Sequence, residues 1–172
     1  FRYTMPDQED VIHHTRGSRY WSATDIKDAF FVVRLDPADR SKTAFTTPRG
    51  RVEYCVLPQG TSKAPLFFSW IADSTFDGIP RSELINFIDD STVHSRDFAP
   101  HLNSMQRMYD ALRPQCLVLK VSKSHFGYAS VRILGHIYSQ HGRNADPNLV
   151  KAVLDLAEPR DLLAVRQLLG IA

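Results

Sequence analysis

The sequence predicts an α+β fold in which an antiparallel sheet is backed by helices, and three observations carry that expectation. Short β-branched and aromatic runs, such as Leu84-Ile85-Asn86-Phe87-Ile88, end at Gly, Pro or Asp clusters and resume on the far side, as hairpin-connected strands do. Two longer stretches, 62–76 and 97–112, repeat apolar residues at the spacing of one helix face. At 172 residues and 43% hydrophobic content the chain is long enough for one core and too short for two large ones, so one domain with an appendage is expected.

The elements follow in order. Pro6 to His14 carries proline and acids first and histidines last, which favours a short helix that Gly17 stops. From Tyr20 the pattern is strand-like, and Ala29–Leu35 reads as a strand running into the turn cluster Asp36-Pro37-Ala38-Asp39. Lys42–Thr46 and Val52–Leu57 form a hairpin around Pro48-Arg49-Gly50, broken by Pro58-Gln59-Gly60. Ser62–Phe76 sets Leu66, Phe67, Trp70, Ile71 and Ser74 at helical spacing, a helix that should back the sheet and end at Gly78-Ile79-Pro80. Asp89 and Asp90 sit at the tip of the next hairpin, between Leu84–Phe87 and Thr92–His94.

A second helix over Asp97–Leu112 presents Leu102, Met105, Met108, Tyr109 and Leu112, and Pro114 stops it. Cys116–Val121 and Val131–Ser139 read as strands, the latter turning at His141-Gly142-Arg143-Asn144. Pro147–Ala157 and Arg160–Ile171 read as amphipathic helices joined at Glu158-Pro159. No internal repeat or low-complexity tract interrupts the order.

The formal net charge of +2 makes binding to nucleic acid by charge alone weak. Cys55 and Cys116 lie far apart in apolar contexts and read as buried thiols, which suits a reduced intracellular protein better than a disulfide scaffold, a single bridge being the alternative. No apolar run reaches membrane-spanning length and no signal pattern opens the chain, so no membrane partner is expected. The start at Phe1 reads as that of a segment from a longer polypeptide. The histidines show no zinc-site spacing, and no Gly-rich phosphate loop ends in Lys-Ser/Thr.

The acids point to chemistry. Asp25 ends the strand-like Tyr20-Trp21-Ser22-Ala23-Thr24, and if that strand lies beside the Asp89-Asp90 hairpin, three carboxylates converge. Each like-charge pair at ~4 Å costs roughly 4 kcal/mol at an effective dielectric of about 20, so the cluster needs cations. Hard oxygen donors favour Mg²⁺ or Mn²⁺ over zinc. Two such ions roughly 3.5–4 Å apart clamp the attacking and leaving oxygens of an in-line phosphoryl displacement.

Asp25-Ile26-Lys27-Asp28-Ala29-Phe30-Phe31, Lys42-Thr43-Ala44-Phe45, Leu57-Pro58-Gln59-Gly60, Ala64-Pro65, Phe87-Ile88-Asp89-Asp90, Ser122-Lys123-Ser124-His125-Phe126 and Leu134-Gly135-His136 stand in the order and approximate spacing of reverse transcriptases. The chain resembles the polymerases of gypsy-type LTR retrotransposons, with retrovirus-like touches, from Pro6 to Leu168-Leu169-Gly170. The resemblance implies a right-hand polymerase palm with partial fingers over residues 1–145 and the start of a helical thumb over 146–172. It implies an RNA-directed DNA polymerase that joins a deoxynucleoside triphosphate to a primer 3′-hydroxyl on an RNA or DNA template, with RNase H and integrase regions elsewhere in a polyprotein. The expected setting is a cytoplasmic particle or the nucleus.

By the same resemblance Asp25, Asp89 and Asp90 are the catalytic, metal-holding acids, and Phe87 replaces the usual tyrosine of the Tyr-x-Asp-Asp turn. Asp28 and Ala29 match positions whose backbone approaches the triphosphate, and Phe30 matches the aromatic sugar gate, where a bulky ring excludes a 2′-hydroxyl. Gln59 matches a glutamine of the nucleotide pocket in retroviral enzymes. Lys123 matches a lysine that neutralises or protonates the leaving pyrophosphate. Leu134-Gly135-His136 resembles the strand pair leading to the primer grip, where glycine admits DNA close to the backbone. The rival reading is a catalytically incompetent or domesticated fragment that binds nucleic acid or a protein, motivated by the family segments missing from these residues; the intact acids argue against it. Another palm polymerase or cyclase shares the acidic pair but lacks Leu-Pro-Gln-Gly and Leu-Gly-His.

Overall fold

The computed structural model describes residues 8–155 and the short stretches 161–162 and 165–166. From the N-terminus, α1 (Gln8–Thr15) leads into β1 (Tyr20–Asp25), a 3-10 turn over Ala29–Val32, the single-turn helix α2 (Pro37–Arg40), and the strands β2 (Phe45–Thr47) and β3 (Gly50–Val52). Next come α3 (Ala64–Thr75), β4 (Leu84–Phe87), β5 (Asp90–Ser95) and α4 (Phe98–Leu112). The chain continues through β6 (His125–Tyr128), β7 (Ser130–Ile133), β8 (His136–Ser139), β9 (Gly142–Ala145) and α5 (Pro147–Leu154). Four strands in the order β4-β5-β1-β6 form an antiparallel main sheet, β2 and β3 form a separate hairpin, and β7-β8-β9 make a three-stranded sheet.

Alternation along the strands divides the main sheet into two faces. One face buries Leu84 and Val93 against α3 and α4, where Phe68, Ala72, Met105, Met108 and Leu112 form the larger core. The other buries Trp21 and Ile85 beneath α1 and the three-stranded sheet, with Val11, Val131, Ile133 and Tyr138. The α+β expectation therefore holds, with helices covering one face of an antiparallel sheet.

Several local expectations do not hold. Ala29–Leu35 is no strand: Asp28 in the left-handed region (φ 54°) reverses the chain into the 3-10 turn, and only Arg34 makes an isolated bridge, to Val56. That turn lays Phe30 on Phe68, ring centres 5.7 Å apart. The following hairpin is shorter than expected, with a two-residue loop, because Lys42 and Thr43 belong to a preceding turn. In α3 the buried positions are Ala64, Phe68, Ser69 and Ala72, whereas Trp70 and Ser74 are exposed. Alanines at i and i+8 let the helix approach the sheet and Phe68 fills the space between, a stripe that counting large residues misses. In α4 the expected Met105, Met108 and Leu112 are buried and Tyr109 packs against the core, but Leu102 is exposed and His101 and Ser104 complete the buried face.

Both cysteines are exposed, not buried. Cys116 lies in a turn after α4 (φ 54°), and Cys116–Val121 contributes only the bridge Leu119 to Ile26. Val131–Ser139 is two strands, β7 and β8, joined by Leu134-Gly135, both with positive φ. A Cβ on Gly135 would come within 2.8 Å of Leu149 Cδ1, so the glycine makes room for α5. Asp146 anchors the start of that helix, accepting from Asn148 N–H at 3.0 Å and pairing with Arg132 at 2.8 Å. β6 was not expected; its register against β1 shifts between Trp21 and Ala23, and Ser22 Oγ accepts the Gly127 N–H there at 3.0 Å. Pro6, Asp7, Ala157, Glu158-Pro159 and most of Arg160–Ile171 lie outside the described residues, although Val165 N–H donates to the Asp161 carbonyl at 3.1 Å in a helical step.

His94 gives the core a pH dependence. It is buried beside Trp21, its Nδ1 lies 3.0 Å from Ser18 Oγ, and its Nε2 lies 3.2 Å from the Arg81 carbonyl. A carbonyl only accepts, so Nε2 carries the proton and Nδ1 accepts from Ser18 in the neutral ring. Burial pushes the His94 pKa down to about 4. The unfolded state then takes a proton that the folded state refuses, so stability is full above about pH 6.5 and falls toward pH 4, by on the order of 3 kcal/mol. Urea unfolding of the chain across that interval is expected to show the loss, and His94→Gln is expected to flatten it; a wild-type curve flat from pH 6.5 to 4 contradicts the assignment.

Candidate active site

β1 ends on Asp25, β5 begins on Asp90, and the antiparallel register sets the two directly opposite each other. The register of β4 sets Phe87 across from Asp90 on the other side. Directly paired residues share a face, so Asp25, Asp90 and Phe87 project together from the side away from α3 and α4. Asp89 is the second residue of the two-residue turn between β4 and β5, and Ile88 before it adopts φ 58°. A left-handed conformation suits tight hairpins but costs a β-branched residue about 1–3 kcal/mol. Ile88 packs its side chain against the larger core, and the Asp89 carbonyl accepts the Ile26 N–H at 2.9 Å, which together hold the turn.

Lys123 reaches this face from the turn Val121–Lys123, which is tied to β1 by Lys120 N–H donating to the Asp25 carbonyl at 2.8 Å. Its Nζ lies 3.1 Å from Asp25 Oδ2. That hydrogen bond and the Asp25 charge raise the Lys123 pKa, with smaller help from Asp89 and Asp90. Partial burial in the cleft raises the Asp90 carboxyl above its ordinary value, the charges of Asp89 and Asp25 raise it further, and the Lys123 ammonium pulls it back. Asp90 keeps an accessible surface, so the effect is one of crowded acids at a wet cleft and not of a sealed interior.

The cleft, about 1020 Å³, is lined by Asp25, Phe87, Asp89, Asp90 and Lys123 together with His125, Tyr128 and Arg132. The last three escaped the sequence reading, because only the bulged pairing of β6 and the fold-back of β7 bring them here. Of the other expected residues, Asp28, Ala29, Phe30 and Gln59 are not in this cleft wall. Asp28 is exposed in its left-handed turn, Ala29 is buried, Phe30 is half-buried on Phe68, and Gln59 is exposed beside Gly60. The divalent ion expected here has a suitable donor set of hard carboxylate oxygens, and the charges of Asp89 and Asp25 add to burial in raising the Asp90 pKa. Among the described residues no three His, Cys, Asp or Glu side chains are closed around a common point, and Lys123 supplies the countercharge to Asp25.

A four-stranded antiparallel sheet with two helices on one face and crowded acids on the other has the architecture of a polymerase palm. Residues 1–138 match the family model described as reverse transcriptase (RNA-dependent DNA polymerase), and the chain belongs to that family. Among curated proteins it is similar to the transposon Tf2-3 and Tf2-4 polyproteins of Schizosaccharomyces pombe, 27% identical over 168 residues, which cover 98% of this chain and 13% of each polyprotein. The chain thus spans about an eighth of the length of those relatives. Among solved structures, the foamy viral protease-reverse transcriptase in complex with an RNA/DNA hybrid superposes with a TM-score of 0.87 at 20% identity, covering 99% of this chain and 23% of that one. A form of that enzyme in complex with double-stranded DNA gives 0.85 at 21% identity, covering 96% and 29%. These likenesses show the fold.

Removing the Lys123 charge is expected to raise the Asp90 pKa further, since that ammonium is the one group holding it down. Carboxyl-carbon NMR titration of Lys123→Met against the wild type reads this directly; an Asp90 midpoint that does not move detaches Lys123 from the acids.

Proposed function

We propose that the chain is the catalytic palm of an RNA-directed DNA polymerase from a gypsy-type LTR retrotransposon, with partial fingers in residues 1–145 and the start of a thumb in 146–172. The observation that carries the reading is the register that pairs Asp25 with Asp90 while the strained turn sets Asp89 beside them in one cleft with Lys123. The end of β9 at Ala145 and the start of α5 at Pro147 support that division. The 98% span of this chain along transposon polyproteins supports the retrotransposon origin, and an intracellular setting, in a cytoplasmic particle or the nucleus, goes with it.

Asp25, Asp89 and Asp90 would hold Mg²⁺ or Mn²⁺, which when bound neutralises charge on the primer 3′-oxygen and on the phosphates of a deoxynucleoside triphosphate. The remaining work falls to the chain. Lys123, released from Asp25, offers its ammonium to the departing pyrophosphate and can supply a proton there. The left-handed Asp28 followed by the 3-10 turn presents the first N–H groups of that turn, which suit triphosphate oxygens. Phe30, stiffened by Phe68, would serve as the wall that excludes a ribose 2′-hydroxyl, and Gln59 would line the nucleotide pocket as its match to the retroviral glutamine implies. Template and primer, RNA or DNA, would run over the cleft wall that Tyr128 and Arg132 line, in keeping with the nucleic-acid complexes of the foamy viral enzyme.

Primer extension in the whole polypeptide that carries this domain tests the reading. Asp89→Asn is expected to lower incorporation by roughly three orders of magnitude, the scale of losing a group that acts on transition-state charge; activity retained within a few-fold rejects the assignment. Phe30→Val is expected to raise ribonucleotide use about tenfold or more relative to deoxynucleotides, and an unchanged ratio removes Phe30 from the gate.

A further inference from the structure

Beneath the acids runs a second row of residues. Strand alternation makes the neighbours of Asp25, Asp90 and Phe87, namely Thr24, Ser91 and Asn86, point to the opposite face, and the same registers pair Thr24 with Ser91 and Ser91 with Asn86. All three are buried, at 2%, 1% and 5% exposure, on the face that packs against the helices. Apolar residues are the ordinary occupants of such positions. Here hydrogen bonds from the three side chains instead link the strands in sequence, through the backbone and the hydroxyl of Ser91. Thr24 Oγ1 donates to the Ser91 carbonyl at 3.1 Å, Ser91 Oγ donates to Asn86 Oδ1 at 2.8 Å, and Asn86 Nδ2 donates to the Ile88 carbonyl at 3.4 Å.

We infer that Thr24, Ser91 and Asn86 form a positioning brace that sets the spacing of the three carboxylates and so tunes how tightly the cleft takes a divalent cation. The inference deepens the polymerase reading and rests on it. Each brace residue is one peptide from a cleft residue, so a shift in the buried row is transmitted through a single peptide unit. The Asn86 amide reaches the carbonyl of Ile88, the residue with φ 58°, and thereby pins the turn that presents Asp89. The Ser91 hydroxyl ties that amide to β5 next to Asp90, and Thr24 ties β5 back to β1 next to Asp25. A hydrogen bond between buried neutral groups gives a defined geometry, whereas an apolar pair of the same volume packs as well with more freedom to slide. The brace therefore acts on carboxylate placement more than on stability.

That difference supplies the test. Asn86→Leu leaves the Ser91 hydroxyl without its acceptor, and Asn86→Leu with Ser91→Ala makes the pair apolar throughout. The Mg²⁺ concentration at half effect is read in two ways, from Mg²⁺-induced shifts of the aspartate carboxyl signals in the 172-residue chain and from primer extension in the whole polypeptide; thermal unfolding is followed in parallel. The single variant is expected to lose both melting temperature and Mg²⁺ affinity. The double variant is expected to recover the melting temperature while its half-saturating Mg²⁺ stays at least fivefold above wild type. If affinity returns together with stability, or if neither variant moves the Mg²⁺ midpoint, the brace is only packing and the inference is overturned. Ser91→Ala alone, which removes one oxygen, gives the same reading should the double variant fail to fold: it must raise the Mg²⁺ midpoint, and an unchanged midpoint rejects the brace. Asp89→Asn run alongside keeps the two claims apart, since undiminished extension in that variant defeats the polymerase reading itself, whereas its loss with unmoved brace variants defeats only this inference.

Discussion

The pairing of β1 with β5 is the constraint on which the rest of the structure depends. It places two carboxylates opposite one another at the end of a ladder, an arrangement that like charges oppose. The sheet tolerates it because the acids stand at the cleft, where water and the Lys123 ammonium offset the repulsion, while the ladder behind them is held by buried contacts on both faces. Moving the pairing by one residue would turn Asp25 into the helix layer and Thr24 into the cleft. Ser22 and His101 guard against that slip, for Ser22 Oγ lies 2.7 Å from His101 Nε2 on α4 and also accepts the Gly127 N–H of β6.

Crowded acids are also what make the cleft receptive. The raised Asp90 pKa records partial burial first and the neighbouring charges of Asp89 and Asp25 second, and nearby positive charge offsets part of it. In this cleft that charge comes from the exposed ammonium of Lys123, paired with Asp25. The crowding of the carboxylates and the pairing of Lys123 with Asp25 are thus two sides of one electrostatic arrangement. The strained Ile88 turn adds the steric half of the same design, because a left-handed β-branched residue persists only where its surroundings overdetermine it.

The three-stranded sheet and α5 extend the palm in a way that joins the cleft wall to the helical region. Arg132 lines the cleft and pairs with Asp146, which in turn caps α5, while Gly135 admits Leu149 of that helix. The junction between the two regions is consequently built from a buried carboxylate and a glycine contact, with no large apolar interface among these residues.

What could be read directly from the chain was whatever depends on local order. The Asp89-Asp90 hairpin, the strand ending at Asp25, the α+β class and both long helices follow from alternation, turn residues and helical spacing, and the succession of short motifs pointed to the family to which the chain belongs. The face of α3 was misjudged, since Ala64 and Ala72 are buried for closeness of approach and not for size, whereas that of α4 held at Met105, Met108 and Leu112. The strand expected at Ala29–Leu35 failed because one left-handed residue, Asp28, outweighs a run of β-formers. β6, the cleft residues His125, Tyr128 and Arg132, and the buried row of Thr24, Ser91 and Asn86 were decided only by tertiary structure. Periodicity tells which residues share a face of their own strand, but register between strands distant in sequence is settled by packing, and it is register that put these side chains beneath and beside the acids.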